Sequence, residues 1–140
     1  PHHNLTSSQK GLNWTAGPPA LPAVPSFVGP DQNGYFVLLG GDGSYSASIN
    51  GNSWTNGIRL DSANHSIASL DWLPFQGVFI ASATDGSLFI AKQILSQQAW
   101  QPFANSLPTA FGQSGATDIY SDGSRYVAVQ TRDNLIYTAN

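Results

Sequence analysis

The chain has 140 residues, a net charge of −3, only 9% charged side chains and no Cys. That excludes disulfides, zinc–thiolate sites and thiol catalysis; the lack of a basic stripe argues against nucleic acid and anionic membranes, and no apolar run is long enough to insert in a membrane as a helix. All the acids are Asp, and Gly, Ser, Asn and Thr are abundant, so the chain lacks the Glu, Lys and Arg that fill helix surfaces and favours strands joined by tight turns.

In chain order, the segment 1–17 carries strand signals around Leu5 and at Trp14-Thr15. His2 and His3 at its start are given no role as a metal site, and no metal or cofactor is expected anywhere. The Pro-rich piece 18–30 takes the place of a linker plus a strand, and its Pro residues exclude a central strand there. An apolar strand is predicted over 35–39, then a turn at Asp42-Gly43, a strand over 44–49 and another announced by Trp54-Thr55. The same order follows: a strand over 66–74 containing Ile67 and Leu70-Asp71-Trp72, a strand over 77–82, a turn at Asp85-Gly86, a strand over 87–93, and one at Trp100-Gln101. Asp-Gly is a strong hairpin signal because it accepts positive φ. The last strands are predicted over 116–121, 126–130 and 134–139, with Asp122 and Arg132-Asp133-Asn134 in turns.

These elements are one pattern written repeatedly. Gly34, Gly77 and Ser124 align; so do Phe36, Phe79 and Tyr126, and then Tyr45, Leu88 and Leu135, at an interval of about 45 residues. The N-terminus joins the register through Ser8 with Ser48, Gly11 with Gly51, and Trp14 with Trp54. Four short strands per unit of this length is the signature of a β-propeller blade. The expected fold is all-β and propeller-like, with about three four-stranded antiparallel blades: a partial blade over 1–17 (third and fourth strands), blades over 18–58 and 59–104, and a partial blade over 105–140 (first to third strands). A blade must stack on neighbours, and a closed propeller needs at least about four. The chain is therefore expected either to form a homo-oligomer or to be a segment of a longer propeller.

Two stretches, Ser48-Ile49-Asn50-Gly51-Asn52-Ser53-Trp54 and Ser8-Gln9-Lys10-Gly11-Leu12-Asn13-Trp14, read Ser-x-x-Gly-x-x-Trp. They resemble the Asp-box, or sialidase-type, propeller repeat, with Asn50 or Lys10 where Asp is expected and one residue fewer before Gly. The resemblance implies a structural role: a short side chain caps the turn, Gly takes positive φ and Trp packs between strands. Ser8, Gly11, Trp14, Ser48, Gly51, Trp54 and Trp100 are read as fold determinants in this sense, with Asp42, Gly43, Asp85 and Gly86 as turn formers.

For a sialidase, the resemblance would imply an Arg cluster, a Tyr nucleophile with a Glu partner, and an Asp acid/base. Arg59, Arg125 and Arg132 are present with Tyr35 and Tyr120, but Glu is absent; the Arg residues are read as solvated groups on strand rims. Glycosidase chemistry needs two facing carboxylates. Asp71 and Asp118 stand at matching places before the second strand, on first strands, which line the centre of a propeller. They are read either as a pair binding a cation or hydroxyl group, or as structural acceptors of backbone N–H groups in a neighbouring blade. Trp72, matched by offset to Gly29 and Ile119, stands outside the repeating aromatic positions. Trp72, Asp71, Asp118 and Tyr120 are therefore the candidate ligand-binding residues, and none is assigned a catalytic role. His65, beside Asn64, is a candidate pH-sensitive contact. The sequons at Asn4, Asn13 and Asn64 are expected by chance in such a composition.

The expected function is a non-catalytic recognition or scaffold module of an extracellular or virion-surface protein, such as a phage tail or adhesin component, binding a glycan or a protein receptor. The alternatives are a fragment of a propeller glycoside hydrolase and a protein-docking assembly factor.

Overall fold

In the computed structural model, the described residues are 6–7, 15–16, 25–30, 33–103, 118–130 and 135–139. They form an all-β structure of antiparallel sheets: β1 (Thr6–Ser7) with β2 (Thr15–Ala16); β3 (Ser26–Val28), β4 (Tyr35–Leu39) and β5 (Tyr45–Ser48); β6 (Ile67–Leu73), β7 (Val78–Ala83), β8 (Leu88–Ala91) and β9 (Gln101–Pro102); and β10 (Asp118–Ser121), β11 (Tyr126–Gln130) and β12 (Leu135–Ala139). Each sheet is a meander in chain order. Among the described residues, no helix is long and apolar enough to cross a membrane.

The strands follow from short apolar, β-branched and aromatic runs punctuated by turn formers. β4 and β11 match the predicted spans. β3 fits between Pro25 and Pro30 because it is a sheet edge, where a missing ladder N–H costs little. The unit 18–58 departs from four strands. Its fourth is reduced to a single bridge between Tyr45 and Ile58, with the Thr55 N–H bonded to the Ala47 carbonyl at 2.9 Å. Gly57 and its neighbours interrupt the ladder, and Trp54 lies before it in the turn rather than on a strand. In the next unit, Trp100 closes a 3-10 turn over Gln97–Ala99, and the fourth strand starts one residue later.

The two faces of β7 explain why its run is apolar over residues 78–81. Phe79, Ala81 and Ala83 join one core cluster with Val28, Val37 and Tyr45 of the preceding sheet; Ile80 joins a second with Ile119 and Ala128 of the following one. Successive side chains of a strand alternate faces, so a strand packed on both sides is apolar at nearly every position. The inner strands also meet: β6 lies beside both β3 and β10. Two bonds from backbone N–H groups cross the seams. The Ile67 N–H donates to the Gly43 carbonyl at 3.0 Å, and the Ile119 N–H donates to the Asp71 carboxylate at 3.1 Å.

Strand register corrects how the units align. Phe27 pairs with Phe36, Trp72 with Phe79 and Ser121 with Tyr126. Since Phe36, Phe79 and Tyr126 are equivalent, the counterparts of Trp72 are Phe27 and Ser121, not Gly29 and Ile119. Likewise Asp71 pairs with Ile80, Tyr120 with Val127, and Asp118 with Val129, two places away. The counterpart of Asp71 is therefore Tyr120, and Asp118 corresponds to Ser69, which pairs with Ser82. The first hairpins of the units differ in length, and an offset carried across them misplaces the first strand.

Candidate interaction surfaces

The turn after β5 is capped by short side chains and holds its Gly at positive φ. The Ser48 hydroxyl accepts the N–H groups of Asn50 and Gly51 at 3.2 and 2.8 Å. The Asn50 side-chain oxygen accepts those of Asn52 and Ser53, both at 2.9 Å, so an amide stands in for the carboxylate. Gly51 has φ +80°, and its carbonyl accepts the Trp54 indole N–H at 3.0 Å. These groups are consumed by the turn. Ser8, Gly11 and Trp14 lie outside the described residues.

The turn aspartates are also engaged. Asp42 Oδ1 accepts the Ser44 hydroxyl at 2.6 Å and its N–H at 3.1 Å, and Asp85 Oδ1 accepts the Ser87 N–H at 2.9 Å. Gly43 and Gly86 follow them with φ +88° and +91°. A Cβ on Gly43 would lie 2.5 Å from the Ser66 hydroxyl, so this turn needs Gly for its conformation and for its approach to β6. Asp122 Oδ1 accepts the N–H groups of Ser124 and Arg125 at 2.9 and 2.8 Å. The Ser44 hydroxyl and N–H hold the Asp42 carboxyl below its ordinary value of 3.8, with a smaller contribution from Arg59. The Ser87 N–H lowers Asp85, and the N–H groups of Ser124 and Arg125 hold Asp122 well below the usual carboxylate range. Carboxyls with folded values depressed in this way stabilise the fold above their ordinary value and lose that contribution as pH falls through the folded value. A chemical-denaturation series from pH 7 to pH 2 should show stability falling below about pH 4; a flat profile down to pH 2 would mean that these bonds persist in the unfolded chain.

Of the proposed ligand residues, Asp71, Trp72 and Tyr120 lie in different surroundings. Asp71 spends one oxygen on the Ile119 backbone of the next sheet, the structural alternative weighed for it. The side chain of Asp118 lies outside the described residues. Trp72 is half-buried, with its ring 4.8 Å from Phe79 and packed against the core. Tyr120 is 57% exposed and lines an open cleft of about 380 Å³ with Ser121, Asp122, Arg125 and Val127. Trp100 is buried and donates its indole N–H to the Tyr45 hydroxyl at 2.8 Å, which donates to the Ile94 carbonyl at 2.7 Å. Burial pushes the Tyr45 phenol up to about 12.

Arg59 and Arg125 sit in separate loops. Arg59 donates to the Asp42 carbonyl at 2.9 Å, Arg125 pairs with Asp122 at 3.2 Å, and Arg132 lies outside the described residues. His65 is more tightly held than a loop histidine suggests. Its Nδ1 lies 2.6 Å from Asp61, its Nε2 lies 3.2 Å from Asp85, and its ring packs on Phe89. Asp61 was readable as a partner only through its four-residue spacing from His65. Among the described residues, no group of three His, Cys, Asp or Glu side chains is placed to hold a metal ion.

The two outer faces of the stack expose apolar groups; the sequence singles out Tyr120 there, but not Phe27 or Phe36. On the β3–β4 sheet, Phe27 and Phe36 form an edge-to-face pair 5.4 Å apart and are 49% and 36% exposed. The signal was present, since Phe36 aligns with Phe79, which is 2% exposed. On the last sheet, Tyr120 and Val127 are a cross-strand pair on the face opposite Ile119 and Ala128, which are buried against β6 and β7.

No protein-family model matches the chain, and no curated protein matches its sequence.

Proposed function

We propose that the chain forms a propeller-like, non-catalytic recognition or scaffold module of an extracellular or virion-surface protein, working through a protein partner docked on its uncovered sheet faces. The meander sheets packed face on face, with β6 beside both β3 and β10, support the propeller-like reading, as does the Asp-box-like turn Ser48 to Trp54. The charge-poor, Cys-free composition supports the location. One observation carries the mode of action: Phe36 is exposed at the register position where Phe79 is buried under a neighbouring sheet. A large aromatic at a packing position is a partner site when nothing covers it.

A second reading has its own observation. Tyr120 beside Asp122, Arg125 and Ser121 offers a ring with polar neighbours, as sugar-binding sites do. Calorimetric titration with neutral and sialylated oligosaccharides decides between the two. No saturable heat is expected for the purified chain; saturable binding lost in Tyr120→Ala would replace the protein partner with a glycan. Release of sugar from a glycoside above the blank rate, reduced in Asp71→Asn, would overturn the non-catalytic reading.

A further inference from the structure

We infer that the partner is a second copy of this chain, docked head to tail, with its Tyr120–Val127 face laid over Phe27 and Phe36. The inference rests on the propeller-like stacking proposed above and names what completes it.

The chain itself shows what covers this kind of aromatic pair. Trp72 and Phe79 are the counterparts of Phe27 and Phe36, and they are covered by the opposite face of the preceding sheet. Tyr35 meets Phe79 edge-on at 5.7 Å. A Cβ on Gly29 would come within 3.3 Å of the same ring, so backbone closes over it. Val37, two residues beyond Tyr35, is 2% exposed in that seam. The proper cover for Phe27 and Phe36 is thus the corresponding face of a like sheet.

Among the described residues, such a face stands uncovered. Val127 is the counterpart of Val37 and of Ile80, both buried by the sheet that follows them. In the last sheet, Val127 instead lines the open cleft with Tyr120 and Arg125. Arg125 stands one residue before Tyr126 as Tyr35 stands before Phe36. Docking therefore sets a guanidinium where Tyr35 meets Phe79, over the ring of Phe36, a cation–π pair. Asp122, already paired with Arg125 at 3.2 Å, balances the charge in the seam. Leu38, further along the same strand and face, is already buried, so the uncovered patch centres on Phe27 and Phe36.

The two faces differ, so the contact is heterologous and each copy keeps one free face until a ring closes. This predicts a complementation result that a self-complementary dimer does not give. Phe36→Asp destroys one face and Tyr120→Asp the other; both side chains are exposed, and far-UV circular dichroism checks that each variant folds. Sedimentation velocity should show the wild-type chain associating. Each variant alone should be monomeric, with self-association weakened at least about 30-fold. An equimolar mixture should recover a dimer and nothing larger, joined through the one intact pair of faces. An oligomer insensitive to Tyr120→Asp, or a mixture that stays monomeric, would overturn the second copy as occupant. So would a wild-type chain that is monomeric at all concentrations. If that monomer still unfolds cooperatively, the stacked-sheet reading survives and only the self-docking fails; if it shows no cooperative unfolding, the stacking reading fails with it.

Discussion

Replacing Trp100 with Ala is expected to cost about 3–5 kcal/mol of folding stability, and Tyr45→Phe about 1–3 kcal/mol. The two side chains tie one sheet to the next. Tyr45 lies on β5, 1% exposed, and its hydroxyl receives the indole N–H at 2.8 Å and donates to Ile94 at 2.7 Å. The rings meet edge to face at 6.2 Å. Removing the hydroxyl leaves a buried indole N–H and a buried carbonyl unpaired while the ring packing stays. Removing the indole opens a cavity yet leaves the hydroxyl bonded to Ile94. The double variant should cost less than the sum of the singles, because both lose the same bond. Equilibrium urea denaturation followed by circular dichroism measures all three. Additive effects would mean that the bond is not made in solution. The phenol gives an independent reading: its value rises from 10.0 to about 12 through burial. The neutral form that the fold favours is fully present below pH 10, and its contribution fades as pH climbs toward 12. Tyr45→Phe should remove that alkaline loss.

The strands and the turns were legible because their causes are local. The run over 35–39, the Asp-Gly turns and the Ser48–Trp54 cap each depend on residues within a few positions of one another. Pairing across the first hairpin was not legible, because loop length leaves no trace in strand alternation. Six residues separate Trp72 from Phe79 and four separate Ser121 from Tyr126. That difference moved Asp118 off the counterpart of Asp71, and the eight residues between Phe27 and Phe36 made Trp72 look unique when it repeats the Phe27 position. The Asp71 bond to the Ile119 N–H joins residues far apart in the chain, and the His65 contact with Asp85 closes only when β7 and β8 form their turn. Neither is a property of a window of sequence. The exposed Phe36 was hidden for the opposite reason: the repeat marked it as core, which it is in every respect except having a neighbour.

That last contrast yields the other large expected effect. Phe79→Ala should destabilise the chain by about 3–5 kcal/mol, whereas Phe36→Ala in dilute solution should stay within roughly 1 kcal/mol. The residues are equivalent in register, pair with an aromatic across the same hairpin, and differ in what lies above them. Phe79 is enclosed by Tyr35, Trp72 and the backbone at Gly29, none of which can collapse into its space without dragging a strand. The cavity stays open, and the cost exceeds the loss of buried area. Phe36 faces solvent on one side, so its removal exposes Phe27 and empties no cavity. Equal costs for the two substitutions at low concentration would mean that Phe36 is covered within the single chain. A Phe36→Ala penalty that grows with protein concentration would instead measure the missing neighbour directly, because association adds its free energy to the stability of the associating form alone.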